Sequence, residues 1–300
     1  MKENVIKNYN RLHETKSHSD TLFPYNTYLC SIPLDFTHVP PHWHNDIEII
    51  VVTKGKGIVI LDTKPIHVSC GDMVIVCSGQ LHAIRTELNQ QMEYENIIFN
   101  ENLLYTSSGD RCTLEYLEPF FRSKYTFQTH IHEKMSCYTK CRACIREIDD
   151  ICEQQAPYYE LLVKGKLFEF FFTLFTANSN SISAIVNPIL SNPTIAKMKD
   201  IITYVEQHYG EPISIQSAAN YIGVSESYFM KIFKESMHIT FTNYLNHHRL
   251  DVAGALLKST SQSVLEIATN TGFTNLSYFN RLFKAYYHMS PREYRGQFQL

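Results

Sequence analysis

Residues Asn275–Pro291 read NLSYFNRLFKAYYHMSP, and some fifty residues earlier Glu226–Thr240 read ESYFMKIFKESMHIT. Both stretches carry SYF, two variable residues, an aliphatic residue and FK. Upstream of them Ala219 matches Ala268 and Gly223 matches Gly272, an offset of forty-nine. Downstream, Tyr228 matches Tyr278, Phe229 matches Phe279, Phe233 matches Phe283, Lys234 matches Lys284 and Tyr244 matches Tyr294, an offset of fifty. The one extra residue falls in a turn, where insertions are tolerated. This is a duplicated unit. Each copy is a short helix, a glycine-containing turn and a second helix, the grammar of a helix-turn-helix.

Helical spacing sorts the second helix of each copy into two faces. In copy one, Tyr228, Phe229, Ile232 and Phe233 are expected in the core, with Ser227, Met230, Lys231 and Lys234 outside. In copy two, Tyr278, Phe279, Leu282 and Phe283 are expected inside, with Ser277, Asn280, Arg281 and Lys284 outside. An outward face of this kind is either a solvated side of a helical bundle or a surface that reads a DNA groove. The duplication, with small or polar residues opening both helices, favours the groove. Arg can take guanine edges bidentately, while Asn and Ser pair with base edges. Lys234 and Lys284 come later and suit phosphates, which position without specifying. Two such helices held about one helical turn apart, ~34 Å, would enter successive major grooves. Glu226, which opens the first copy's helix, repels phosphate, and either accepts from cytosine N4 or points away.

The stretch IATNTGFTNLSYFNRLFKAYYHMSPREYR resembles the signature of AraC/XylS-type transcription regulators, through Ala268, Gly272, Phe273, Tyr278, Phe279, Phe283, Lys284, Ser290, Pro291 and Tyr294. The resemblance covers residues 194–297 strongly and the rest more loosely. It implies a DNA-binding domain of two helix-turn-helix units joined by a long helix. Its groove-facing positions fall on Ser227, Met230 and Lys231, then on Leu276, Ser277, Asn280 and Arg281. It also implies an operator in double-stranded DNA, a small-molecule effector (a sugar or a derivative), and RNA polymerase as a partner.

Charge permits this without arguing for it. The chain of 300 residues carries −3 overall. Residues 194–300 hold ten Lys/Arg against eight Asp/Glu, or +2, and the remainder −5. A composition of 44% hydrophobic and 19% charged residues belongs to a soluble globular protein, and the length suggests two domains. The opening MKENVIKNYNRLHETKSHSD has no apolar core of a secretory signal. The apolar run LFEFFFTLF, Leu167–Phe175, is too short to span a bilayer. A cytoplasmic location with reduced thiols is expected, and no membrane partner.

The eight cysteines include CYTKCRAC, whose C-x3-C-x2-C spacing occurs in iron–sulfur radical enzymes. Yet Cys137, Cys141, Cys144, Ile148 and Cys152 recur at helical intervals, which predicts one buried helix face instead.

Between Thr21 and Phe127 the chain is strand-like: IEIIVVT, GIVIL, MVIVC and ENIIFN are separated by KGKG, DTKP, CGD and SGQ. An antiparallel barrel or sandwich is predicted. His42, His44 and Glu48 share strand parity, and His82 follows later. The spacings H-x-H-x3-E-x6-G and G-x5-C-x-G-x2-H resemble the two cupin motifs, with Cys77 where proline is usual. Three imidazoles and a carboxylate can hold a divalent transition metal, line an effector site with no metal, or merely satisfy one another. The effector lining, with Trp43 as a stacking face, is the favoured reading, with no cofactor required. A metal-dependent cupin enzyme or metal sensor fused to a DNA-binding domain is the alternative.

The predicted protein is α+β. A cupin-like sensing barrel occupies 1–131. A helix pair and linker occupy 132–193 and mediate homodimerisation, because the second helix is apolar nearly all round (Leu167, Phe168, Phe170, Phe171, Phe172, Leu174, Phe175). Packing onto its own barrel is the other reading of that pair. An all-α tandem helix-turn-helix domain occupies 194–300, in a transcription regulator that is not an enzyme.

Overall fold

The computed structural model describes residues 22–35, 38–87, 90–106, 109–122, 128–179, 193–237 and 239–297. Residues 1–21 and residues 180–192 of the linker lie outside them. Among the described residues the chain divides into two compact units, one of residues 22–39 and 43–179, the other of residues 193–297 together with Pro40–His42.

The sheet contains β1 (Tyr25–Ile32), β2 (Val39–His42), β3 (Ile47–Leu61), β4 (Lys64–Ser69), β5 (Met73–Val76), β6 (His82–Arg85), β7 (Met92–Phe99) and β8 (His130–Ile131). The helices of the first unit are α1 (Glu118–Phe121), α2 (Tyr138–Gln154) and α3 (Tyr159–Ala177). The hydrogen-bonded path is β1-β7-β3-β5-β8, with β4 on β3, and β6 on β2 and β3. Both ends of that path stay open: β1 pairs with β7 and two-residue β8 with β5. Among the described residues the sheet is therefore not the closed, cupin-like barrel that the motifs suggested.

One strand explains how the sheet folds over without closing. KGKG, expected as a turn between two strands, lies inside fifteen-residue β3. The register shifts between Val52 and Lys54, and Gly55 takes φ +76. A bulge followed by a left-handed glycine bends a strand instead of ending it. The first half of β3 accordingly pairs with β5 and β7, the second with β4 and β6. A Cβ at residue 55 would run into the Gln91 carbonyl, so the bend needs glycine.

Alternation along β3 divides its side chains. Ile47, Ile49 and Val51 join the core made with α2 and α3, and Glu48 between them takes the opposite face. Cys141, Cys144 and Ile148 of α2, with Cys137 just before it, are buried in that core and Cys152 packs against it. These thiols act as small hydrophobes on a regular helix, not as ligands on a cluster loop, and no disulfide joins any of the eight cysteines. From α3, Val163, Leu167, Phe170, Phe171 and Leu174 are buried in the same core, while Leu161, Leu162, Phe168 and Phe172 stay exposed. Among the described residues no helix is long and apolar enough to cross a membrane.

The second unit holds α4 (Pro193–His208), α5 (Ile215–Tyr221), α6 (Glu226–Met237), α7 (Phe241–Ser259), α8 (Val264–Asn270), α9 (Leu276–Tyr287) and α10 (Pro291–Gly296). The sequence repeat reappears as geometry. Helices α5 and α8 begin and end forty-nine residues apart, and α6 and α9 fifty apart. Ser214 and Ser263 both close capping boxes, with Ser217 and Glu266 respectively. Gly223 and Gly272 both take positive φ, +68 and +85. The ring pairs match as well: Phe229–Phe233 at 5.6 Å and Phe279–Phe283 at 5.5 Å, then Phe233–Tyr244 and Phe283–Tyr294 both at 5.4 Å.

Candidate nucleic-acid interface and polar cluster

In α6, Phe229, Ile232 and Phe233 are buried, while Ser227, Met230, Lys231 and Lys234 are exposed. In α9, Phe279 and Phe283 are buried and Leu282 is intermediate, while Leu276, Ser277, Asn280, Arg281 and Lys284 are exposed. Glu226 is exposed at the first position of α6.

The two tyrosines depart from the expected pattern. Tyr228 is 50% exposed and Tyr278 37% exposed. Each precedes a buried Phe by one residue, a rotation of about 100° on a helix, which carries the ring out of the core. Tyr278 serves the surface: its hydroxyl accepts from Asn246 Nδ2 at 3.2 Å, and the Arg281 guanidinium lies 5.4 Å from its ring centre. A cation over a ring face holds a long side chain in place. Sequence periodicity missed this support for Arg281, because Asn246 is on a different helix.

Helix α7 joins the two copies. Its first turns pack on copy one, with Phe241 5.0 Å from Phe229. Leu250, Ala253 and Leu257 further along belong to the core of copy two. Nineteen residues of helix make a spacer of about 28 Å. Arg249 in its middle is buried and satisfied: Nε donates to Tyr209 O and an Nη to Glu211 O, both at 2.8 Å. This cation staples the end of α4 and is not a groove residue.

On the sheet, His42, His44, Glu48 and His82 come together, all buried, with one ligand atom from each within 4.8 Å of the others. Glu48 lies on the first half of β3, and His82 pairs opposite Leu61 at its other end, so the strand's bend is what lets them meet. Glu48 Oε2 lies 2.9 Å from His44 Nε2 and 3.1 Å from His82 Nε2. Burial alone would raise the Glu48 carboxyl, but the charge His82 can carry and the hydrogen bonds of both imidazoles outweigh it. The group sits well below the ordinary carboxylate range.

The ring orientations come from the main chain. Nδ1 of His42 meets Pro40 O at 2.9 Å, Nδ1 of His44 meets Asp46 O at 3.0 Å, and Nδ1 of His82 meets Gln80 O at 2.9 Å. The Ser78–Gln80 turn also anchors the cluster, because Gly79 N donates to His44 O at 2.7 Å. Within it Gln80 Oε1 accepts from Cys77 N at 3.1 Å, while the Cys77 thiol reaches Phe120 O at 3.5 Å. The cluster can therefore hold a metal ion, although not inside a closed barrel. Trp43 is half-buried and lies outside the four-residue group. His130 lies 3.3 Å from Asp72 with its ring tilted 5.1 Å from that of His132, and exposed His67 lies 3.8 Å from Glu87.

Comparison with known proteins bears on both units. Residues 218–297 match a helix-turn-helix domain family, and residues 32–171 match an AraC-like ligand binding domain family. Over 285 residues the chain is 22% identical to YdeC, an uncharacterized HTH-type transcriptional regulator of Bacillus subtilis, covering 95% of this chain and 96% of that one. It is 25% identical over 255 residues to SAS0078, an uncharacterized HTH-type transcriptional regulator of Staphylococcus aureus. That match takes in 84% of this chain and spans only 32% of the longer relative. Among solved structures, the C-terminal domain of the two-component response regulator yesN from Fusobacterium nucleatum is 30% identical. It covers 33% of this chain and 98% of its own, with a TM-score of 0.33.

Proposed function

Because the chain belongs to the AraC family of helix-turn-helix transcription regulators, DNA-binding proteins rather than enzymes, we propose that α6 and α9 read an operator under effector control. Ser227, Met230 and Lys231 face one major groove, and Leu276, Ser277, Asn280 and Arg281 face the next. Lys234 and Lys284 take phosphates. Met230 and Leu276 have no polar group to offer a base, so they suit thymine methyls. The observation that carries this reading is the repetition of one framework with an exposed polar face on each copy.

The effector belongs to the first unit. A sugar or derivative would find hydrogen-bonding groups near His42, His44, Glu48 and His82 and a flat ring in Trp43. Effector binding changes DNA binding only to the extent that it favours one arrangement of the protein over another. Homodimerisation would run through α3. Leu161, Gly165, Phe168 and Phe172 recur at spacings of four, three and four, and all are exposed. That is the spacing of a helix seam that packs against its own copy. RNA polymerase is the further partner of an operator-bound activator.

Selection of bound duplexes from a random pool tests the DNA reading. A sequence motif with two half-elements about one helical turn apart is expected; binding that depends on salt but not on sequence would refute it. For the seam, Phe172→Glu is expected to yield monomers in sedimentation, whereas an unchanged dimer would place the interface elsewhere.

A further inference from the structure

The end of α4 reaches from one helix-turn-helix copy to the other. Along its length α4 belongs to copy one. Its buried residues are Met198, Ile201, Ile202 and Val205, it packs against α6, and Tyr204 stacks on Tyr221 of α5 at 4.4 Å. The residues just past its end lie on copy two. A Cβ at Gly210 would stand 2.9 Å from Asn270 O, and one at Gly272 would collide with Tyr209 O. Main chain therefore meets main chain, and Asn270 to Gly272 is where α8 ends and the turn towards α9 begins.

Arg249 of α7 closes this contact. The last carbonyls of a helix find no partner within it. Here Tyr209 O and Glu211 O accept from Nε and an Nη of Arg249, both at 2.8 Å. The same guanidinium lies 5.8 Å from the ring centre of Phe273, which is part of the copy-two core. The Tyr209 ring meets that of His248 edge-on at 5.2 Å. A planar fork with two donors engaged fixes direction as well as distance. Because Arg249 is buried, any looser arrangement would leave polar groups unpaired away from water. The repeat itself supplies a control. Residues that fold one copy recur in the other, yet forty-nine residues before Arg249 stands Asp200, exposed on α4. Arg249 thus serves the join between the copies. A single connecting helix can bend along its length, and a second tie at the α4 end removes that freedom.

We propose that Arg249 is a positioning residue that locks the two copies into one rigid pair, so that the protein accepts operator half-elements at a single spacing. The lock stands on the contacts above; its effect on DNA rests on the groove reading. One inserted base pair moves a half-element by about 3.4 Å and turns it by about 35°. A rigid pair cannot follow that displacement with both α6 and α9.

Two measurements on the full chain test this. The first needs no DNA: spin labels are placed through non-natural side chains at Glu235 and Ala285, equivalent exposed positions of α6 and α9. One narrow distance is expected in the wild type and a broadened distribution in Arg249→Met, with Arg249→Lys between them. The second measures binding to the selected operator with one base pair added or removed between its half-elements. Wild type is expected to lose about tenfold or more, and Arg249→Met, weaker on the parent operator, less than about threefold. A broad wild-type distance, a wild type indifferent to spacing, or an Arg249→Met as narrow and as strict as wild type overturns the proposal. If the variants do not fold by circular dichroism, the two wild-type results decide alone. The readings fail separately. A selected motif whose spacing is free removes the lock and keeps the regulator; a narrow distance with no selected motif removes the groove reading and keeps the lock.

Discussion

The two helix-turn-helix copies share a skeleton and differ in what they attach to it. Helix limits, serine caps, left-handed glycines and ring stacks repeat from one to the other. The outward residues do not: Met230 and Lys231 in copy one answer to Asn280 and Arg281 in copy two. The supports differ as well, since Tyr278 is braced by Asn246 and underlies Arg281. A framework constrained by packing keeps its sequence pattern, while a face that touches solvent is at liberty to diverge. If the proposed groove reading holds, copy two would carry more of the donors that discriminate bases.

The largest effect that would sharpen this contrast comes from the paired turn glycines. Both need φ near the left-handed region, which costs an L-residue about 1–2 kcal/mol. Around Gly223 a Cβ would meet nothing within 4 Å. At Gly272 it would collide with the Tyr209 carbonyl and come within 2.8 Å of the Arg249 guanidinium. Gly272→Ala therefore adds an overpacking cost of about 1–3 kcal/mol to the backbone strain. Thermal unfolding should show Gly272→Ala clearly less stable than Gly223→Ala. Equal losses would mean that the two turns are not different after all.

How far the sequence made this visible depends on the range of the interactions involved. The duplicated unit was legible nearly to the residue, because each copy calibrates the other and caps, turns and stripes are local. Tyr228 and Tyr278 escaped because one helical step decides between core and surface, and Asn246 lies thirty-two residues from its partner. In the β-rich unit the runs of strand were legible but their pairing was not. Gly55 and its lysines look alike in a turn and in a bend. Whether β1 and β8 meet is a long-range question that no local pattern encodes. The quartet was legible by parity and spacing. Its aiming groups were not, because the carbonyls of Pro40, Asp46 and Gln80 belong to the main chain and leave no residue signature.

The next effect sets Arg281 against Lys234. Arg281→Ala should weaken operator binding by about 1–3 kcal/mol and relax the preferred base at its step. Lys234→Ala should weaken all duplexes nearly alike and flatten the salt dependence. Binding measured on the selected operator and on single-base variants of it distinguishes the two. If both substitutions lowered affinity without touching preference, the division of labour between the copies would be wrong.

The smallest effect is a slope with pH, and it too belongs to one copy. Asp251 of α7 is surrounded by Tyr244, Tyr286, Tyr287 and Tyr294 of the same unit, with Tyr287 donating to its Oδ1 at 3.3 Å. Forty-nine residues earlier stands Ile202, fully buried, so copy one has no counterpart. Burial pushes the Asp251 carboxyl up to about 7, against the opposing hydrogen bonds of Tyr286 and Tyr287. The folded state then holds a proton that the unfolded chain, at an ordinary value of about 3.9, has released. Native protein binds more protons than unfolded protein over that interval, so stability falls as pH rises from about 4 through about 7, and levels off above. Asp251→Asn removes the titrating group. The difference between variant and wild-type melting temperatures should therefore move in the variant's favour from pH 5 to pH 8. A difference that stays constant across that range would mean Asp251 is already ionised in the folded protein, with its charge carried by the tyrosine hydroxyls around it.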